Sequence, residues 1–302
     1  MNMFVVSQAE AGQKILNLLQ RRIFAPLGDL RRWLRTGQVR LNSGRVTAQG
    51  RVQAGDEIRL PPFAQLRLGA DDAIPSFPLA IFENAKLLVI AKPAGLPSQG
   101  GSGQTDSLAA RLRAHFSAAT YVPAPAHRLD KDTSGLILAG KTYQVQRWLS
   151  DAFATGGGII QKDYLAWVWG EWPHPKLLEL HDLLRKDDAR RKVLVDAVNA
   201  GSVEAFSLVL PIKSENVGGR KVSLLLCRLL SGRTHQIRAQ LSSRGFPLVG
   251  DTKYGAPALC NDAQPLRLHA CRLTLPDGQV FVLLPPWEGL WALGEVPAFP
   301  AR

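Results

Sequence analysis

Between His127 and Gly135 the chain places an imidazole (His127), a guanidinium (Arg128) and two carboxylates (Asp130 and Asp132) directly before the apolar run Leu136-Ile137-Leu138-Ala139. Loops that end on a rigid strand tend to carry function. Asp132, Thr133 and Ser134 also suit a plain surface turn. Asp130 in such a place can be a nucleophile, a general base or a structural carboxylate. A second polar block follows about a hundred residues later, Ser231-Gly232-Arg233-Thr234-His235-Gln236-Ile237-Arg238. Gly232 permits a tight turn, Thr234 can cap, and a helix starting here offers free N–H donors to an anion or carboxylate. The third block, Gln161 to Gly170, reads as a strand with Tyr164, Ala166 and Val168 on one face and Leu165, Trp167 and Trp169 on the other.

Other chemistries find less support. The six histidines (His115, His127, His174, His181, His235, His269) form no His-x-x-x-His pair, so no metal site is expected. Cys227, Cys260 and Cys271 are scattered, as reduced thiols would be. The glycine-rich stretch Gln99 to Gly103 runs into Gln104-Thr105-Asp106, without the lysine and Ser/Thr of a phosphate-binding loop. No cofactor is expected.

The elements that would position these residues follow from periodicity. Ile15, Leu18 and Leu19 predict a first short helix, ending at Arg21-Arg22. Asp29 is a suitable N-cap for a second helix carrying Leu30, Trp33 and Leu34, and Gly37 closes it. Arg31, Arg32 and Arg35 fall off that apolar stripe. Strand-like residues Gln38–Asn42, with Val39 and Leu41 inward, lead to the turn Asn42-Ser43-Gly44. Pro61-Pro62 and the stretch to Pro78 read as a linker. Beyond Ile81, helices near 107–116, 143–153 and 235–244 alternate irregularly with short strands, which predicts an α+β domain with a mainly antiparallel mixed sheet flanked by helices.

The chain of 302 residues has a formal net charge of +12, pointing to a polyanionic partner. Residues 1–60 hold ten Lys+Arg against four Asp+Glu, so half of that excess lies in a fifth of the chain. No run reaches the roughly 18 apolar residues of a membrane span, and Met1–Gln13 lacks the order of a signal peptide. A monomer in the cytoplasm, with no membrane partner, is the expectation.

His127-Arg128-Leu129-Asp130-Lys131-Asp132-Thr133-Ser134-Gly135 resembles the HRLDxxTSG signature of the RluA family of RNA pseudouridine synthases. Ser231–Arg238 resembles that family's GRTHQIR motif, and Lys162-x-Tyr164 its Lys-x-Tyr motif. Lys92-Pro93-x-Gly95, Gly250-Asp251-x-x-Tyr254-Gly255 and Leu268-His269-Ala270 match three more. The resemblance implies uridine isomerisation in RNA, with Asp130 catalytic and Arg233 pairing with it to keep it ionised and oriented. It further implies that Tyr164 packs on the target base and accepts its C5 proton. Arg128 would fill the gap left by the flipped base. Leu268 would be an apolar wall beside that base, while Lys92 and His269 serve packing or hydrogen bonding. The two basic helices with their small sheet resemble an S4 RNA-binding domain at 12–62, followed by a linker at 63–79 and the catalytic domain at 80–302. Arg31, Arg32, Arg35 and Arg40 would then contact phosphates. Within the family the likeness is to the members with an S4 domain that act on large-subunit (23S-type) ribosomal RNA. Ser98-Gln99, where a histidine often stands, and the segment Lys176–Val193 depart from the pattern. The resemblance leaves open whether Asp130 attacks the ring or the sugar, or acts through a glycal. A non-catalytic RNA-binding ribosome-assembly factor on the same two domains is the alternative.

Overall fold

The computed structural model describes residues 2–23, 25–64, 76–100, 106–154, 159–187, 192–196, 201–255 and 264–300. Residues 65–75 of the expected linker, Gly101–Gly103 of the glycine-rich stretch and Cys260 lie outside them. The elements run β1 (Met3–Val5), α1 (Ile15–Arg22), α2 (Leu27–Thr36), β2 (Arg40–Leu41), β3 (Gly44–Arg45), β4 (Glu57–Arg59), β5 (Ala80–Glu83) and β6 (Leu87–Lys92). They continue with α3 (Leu108–His115), β7 (Ala124–Pro125), β8 (Ser134–Gly140), α4 (Tyr143–Ala154), β9 (Gln161–Trp169), β10 (Leu178–Asp187) and β11 (Lys192–Asp196). The last are β12 (Val203–Val217), β13 (Arg220–Leu229), α5 (Gln236–Ser243), β14 (Leu268–Thr274) and β15 (Val280–Val282). Among the described residues no helix is long and apolar enough to cross a membrane.

Two compact units emerge. The first comprises residues 1–89, 99–126 and 138–150; the second 90–98, 127–137 and 151–302. In the first, β1, β4, β2 and β3 form a four-stranded sheet in that order, so the small sheet includes a strand N-terminal to residue 12. Ile15, Leu18, Leu19, Leu30, Trp33, Leu34, Val39, Val52 and Ile58 are its shared core, with Leu41 partly buried against it. The apolar stripes of both helices bury as their spacing requires. Asn42 and Ser43 both have positive φ, the backbone of a two-residue hairpin turn. Gly37 has φ +73 and ends α2. The N-cap of α2 is Pro26, three residues before Asp29; Asp29 instead sits in the first turn and pairs with Arg32 at 2.9 Å. Proline's fixed φ favours a helix start, and a first-turn carboxylate favours the positive end of the helix.

In the second unit the sheet order is β11-β10-β12-β13-β9-β14-β8, with β15 pairing the later part of β14 on the edge that β8 pairs earlier. Pairings are antiparallel except β14 with β8, which is parallel (His269↔Ser134, Ala270↔Gly135). One face of β9 and β13 buries Leu165, Trp167, Trp169, Leu224 and Leu226 against Trp287 and Trp291. Helix α5 is fixed to the sheet by polar bonds. Gln240 accepts from Ser207 (2.7 Å) and donates to Asp182 (2.8 Å), and Arg244 also reaches Asp182 (2.9 Å). Cys227 and Cys271 are buried free thiols.

Gly135 shows why the signature ends in glycine. Its φ is +122, and a Cβ there would lie 2.3 Å from the Ala270 carbonyl oxygen. A side chain would push β8 from β14, the strand that carries Leu268. Gly135→Ala is expected to cost at least about 3 kcal/mol of stability, by steric overlap and backbone strain together. A denaturant titration checks this; a midpoint equal to wild type would contradict the close approach.

Candidate active site

Asp130 lies at the end of an irregular segment, followed by the Lys131-Asp132 turn and then β8. The backbone on either side of it is held by buried polar side chains. Ser98 Oγ accepts the Leu129 N–H (2.9 Å) and donates to the Leu129 carbonyl (2.8 Å). Lys92, 1% exposed, donates to the carbonyls of Pro93 (2.8 Å), Leu96 (2.7 Å) and Lys131 (3.0 Å). Burial pushes the Lys92 ammonium down to about 8, against the pull of Asp132 and Asp130. Its role is to tie the Lys92–Gly95 turn to the segment bearing Asp130. With Leu129 buried, Arg128 and Asp130 both face a cleft of about 190 Å³. Tyr164, Arg233 and Leu268 line the same cleft. Arg31, Arg32, Arg35 and Arg40 are not among its lining residues; they belong to the first unit.

The expected partner of Asp130 is replaced. Arg233 is exposed, and its Nε donates to the Glu204 carbonyl at 2.9 Å. The guanidinium that meets Asp130 is Arg238, five residues on, with Nη1 3.4 Å from Asp130 Oδ2. Its other edge forms a two-pronged pair with Asp251, Nε–Oδ2 2.8 Å and Nη2–Oδ1 2.7 Å. Asp251 also accepts the backbone N–H groups of Lys253 (3.0 Å) and Tyr254 (2.9 Å). Burial alone would raise the Asp251 carboxyl, but the Arg238 bonds and those N–H donors outweigh it and hold it below the usual range. The choice of Arg238 over Arg233 has a helical cause. Arg233 precedes α5, in the turn, whereas Arg238 is its third residue on a buried face. His235, Arg238, Ala239 and Ser242 recur at i, i+3, i+4 and i+7, the spacing of one helix face, and that spacing was the signal for Arg238.

The start of α5 differs from expectation as well. The N-cap is His235, in the left-handed region at φ +53, not Thr234. Gln236 satisfies the turn instead, accepting the Arg233 N–H (3.0 Å) and the Ser231 hydroxyl (2.9 Å). A non-glycine residue there is strained, and such strain gathers at functional sites. The strained backbone sets the His235 ring between Tyr254 and Asp130. Its Nδ1 is 2.9 Å from the Tyr254 hydroxyl, and its Nε2 is 3.8 Å from Asp130 Oδ2. The Tyr254 oxygen accepts the Val193 N–H (2.8 Å), so its one proton is free to go to His235 Nδ1. That arrangement leaves the Nε2–H facing Asp130. Burial, with Arg238 and Lys253, outweighs the attraction of Asp130 and lowers the His235 pKa, which keeps the ring neutral.

Tyr164 is buried on β9, opposite Cys227 and Ala270. Burial first, and the nearby Asp130 charge second, push its hydroxyl up, so it stands protonated. Burial and Lys162 push the His127 pKa down to about 3, and its ring lies tilted at 38° against Phe153, with centroids 4.1 Å apart. His269 Nε2 donates to the Leu283 carbonyl (3.1 Å), which leaves Nδ1 to accept from Ser134 (2.8 Å). His269 thus fastens β14 beside β8, outside the chemistry.

A carboxylate steadied by a shared guanidinium, next to a neutral phenol and an apolar wall, can attack or deprotonate a nucleoside that enters the cleft. Arg238→Gln is expected to cost about 3–5 kcal/mol of stability, because Asp251 would stay buried without its partner. Turnover should fall at least about 100-fold. Arg233→Gln should leave stability near wild type and cost less turnover. Thermal unfolding and single-turnover rates on both variants decide this; equal rate losses with an unaltered Arg238→Gln midpoint would return the role to Arg233.

The family model for RNA pseudouridylate synthase matches residues 86–243, which include Asp130, Tyr164 and Arg238. The chain is 32% identical over 262 residues to ribosomal large subunit pseudouridine synthase C of Escherichia coli (strain K12), covering 83% of this chain and 78% of that protein. To the protein of that name from Pasteurella multocida (strain Pm70) it is 32% identical over 285 residues, 90% and 83% of the two chains. Among solved structures, human RNA pseudouridylate synthase domain containing 1 shares the fold, with a TM-score of 0.57 at 22% identity over 68% of this chain and 82% of that one. On the matched family region and on identity that extends over most of both chains, this protein belongs to the RNA pseudouridylate synthase family.

Proposed function

We propose that the protein isomerises uridines of large-subunit ribosomal RNA, acting as a monomer in the cytoplasm, with Asp130 as the catalytic carboxylate. The observation that carries the reading is the Asp251–Arg238–Asp130 array, whose Arg238 and Asp130 line one cleft with Tyr164 and Leu268. The isomerisation breaks the N1–C1′ bond and forms a C5–C1′ bond. The C5 hydrogen leaves as a proton, and N1 gains one, so atoms and electrons balance without a co-substrate. Asp130 either takes the sugar or ring as an electrophile, or removes a sugar proton; the same geometry serves each route. Arg238 and His235 Nε2–H hold the carboxylate for that step. The base must leave its stack first, at a cost of a few kcal/mol. Arg128, exposed at the cleft, is suited to take the vacated place, and Leu268 to flank the uracil. Tyr164 stands protonated, by burial first and by the Asp130 charge second, so it must give up its own proton before it can take one from C5; neutralising Asp130 would ease that loss.

Affinity would come from the first unit. Arg45, Arg40 and Arg59 stand directly opposite one another across β3, β2 and β4 (Arg40↔Arg45, Arg40↔Arg59). Like charges in that register repel, and none of the three has an acidic partner among the described residues. Arg31 and Arg35 are exposed on α2 nearby in sequence. Other basic residues are spent on packing. Arg22 bonds Glu10 (2.7 Å) and the Thr120 carbonyl (2.9 Å), and Arg21 lies over the Tyr121 ring at 4.6 Å. A repelling arginine row is relieved by a phosphate backbone, as an S4-type domain would use it.

Asp130→Asn keeps shape and removes charge, so release of tritium from C5-labelled uridine RNA should vanish while binding persists. Appreciable release by this variant would sink the assignment. Tyr164→Phe should lower product formation steeply yet leave RNA affinity near wild type; wild-type rates would reduce Tyr164 to packing.

Replacing Arg40, Arg45 and Arg59 together by glutamine should weaken ribosomal RNA binding and reduce the slope of log affinity against log salt by roughly 2 to 3. The cleft chemistry on saturating RNA should remain. An unchanged slope would remove this sheet from the RNA contact.

A further inference from the structure

Strand alternation on β9 separates two charges. Asp163 turns to one face, where Arg228 meets it at 2.6 and 2.8 Å and Arg272 lies at 3.5 Å. Lys162 turns to the other, beside Tyr164, and lines the cleft. Its ammonium has no carboxylate and no hydrogen-bond acceptor among the described residues; its contact is the face of Phe153, 5.5 Å away. A Cβ at Gly232 would lie 3.4 Å from Nζ, so the charge rests against the bare backbone of the exposed Gly232-Arg233 turn. Three lysines elsewhere in the chain are satisfied: Lys92 by three carbonyls, Lys141 by Glu83 and Lys213 by Glu215.

A partly buried cation without a partner is costly, and proteins rarely keep one. Burial already lowers the Lys162 pKa, and the same charge helps keep His127 neutral, so among the described residues no group balances it. We infer that Lys162 binds a phosphodiester oxygen of the RNA strand that enters the cleft, forming an anion subsite about 6.6 Å along β9 from Tyr164. This rests on the RNA-isomerase reading. A base carbonyl would accept a hydrogen bond there but leave the charge uncancelled. A phosphate oxygen cancels it, and the compact ammonium suits such a point contact. Gly232, which also lines the cleft, puts no side chain over the ammonium.

The test compares wild type with Lys162→Met, Lys162→Gln and Lys162→Arg. Each is placed in the Asp130→Asn background and bound to transcribed, unmodified large-subunit ribosomal RNA over a range of salt. Met and Gln should weaken binding roughly ten-fold or more and flatten the slope of log affinity against log salt by about 0.7–0.9. Arg should retain the wild-type slope. Thermal midpoints should not fall for Met or Gln, since the lost charge leaves no buried partner behind. An unchanged slope overturns the phosphate contact, and so does a lower midpoint with unchanged affinity, which would mark a structural lysine. Tritium release by the protein with Asp130 intact, together with an unchanged slope for Met and Gln, overturns this subsite alone. A Lys162-dependent slope, together with no tritium release by the protein with Asp130 intact, leaves the subsite standing and overturns the isomerase reading.

Discussion

The structure of the site depends on one buried guanidinium shared by two carboxylates. Arg238 is bound edge-on by Asp251 and turns its Nη1 toward Asp130. The arrangement is asymmetric. Asp251 is 2% exposed and takes two short bonds plus two backbone N–H donors, so it anchors the cation. Asp130 takes a longer contact of 3.4 Å and is open to the cleft. A carboxylate bound as tightly as Asp251 would have little freedom to react. One held more loosely by the same cation keeps both its direction and its lone pairs.

Everything around that array serves to place it. Helix α5 must present Arg238 inward, and Gln240 and Arg244 fix the helix to β10 and β12 through Asp182 and Ser207. The Asp130 backbone must not drift, and Ser98 and Lys92 hold its neighbours Leu129 and Lys131. Gly135 lets β8 and β14 approach closely enough that Leu268 faces the same cleft. The β10–β11 hairpin reaches the site through Val193, whose N–H engages Tyr254, the partner of His235. Pieces distant in sequence therefore converge on one carboxylate.

Much of this was legible in the chain. The turn-then-strand pattern of His127–Ala139, the alternation on β9 and the three helices of the later region follow from local periodicity, which burial then enforces. The α+β class with a mainly antiparallel sheet followed from the irregular order of elements. The choice between Arg233 and Arg238 was harder, because both sit in one motif and only the true start of α5 tells which points inward. Polar residues that bond backbone carried no pattern: the Ser98 clamp and the three-carbonyl contact of Lys92 depend on chain segments tens of residues apart. Nor could spacing reveal the arginine row across β3, β2 and β4, since register between strands is set by the turn at Asn42-Ser43 and by the burial of Val39 and Ile58.

The most direct measurement of the central claim is the distance from the Asp130 position to the target nucleoside in a crystal structure of the Asp130→Asn protein bound to its RNA. The expected structure has an unstacked uridine in the cleft, with its sugar or ring within about 3–3.5 Å of the residue 130 carboxamide, and the Arg238–Asp251 pair intact. A uridine seated elsewhere, or Arg233 in place of Arg238 beside residue 130, would contradict it.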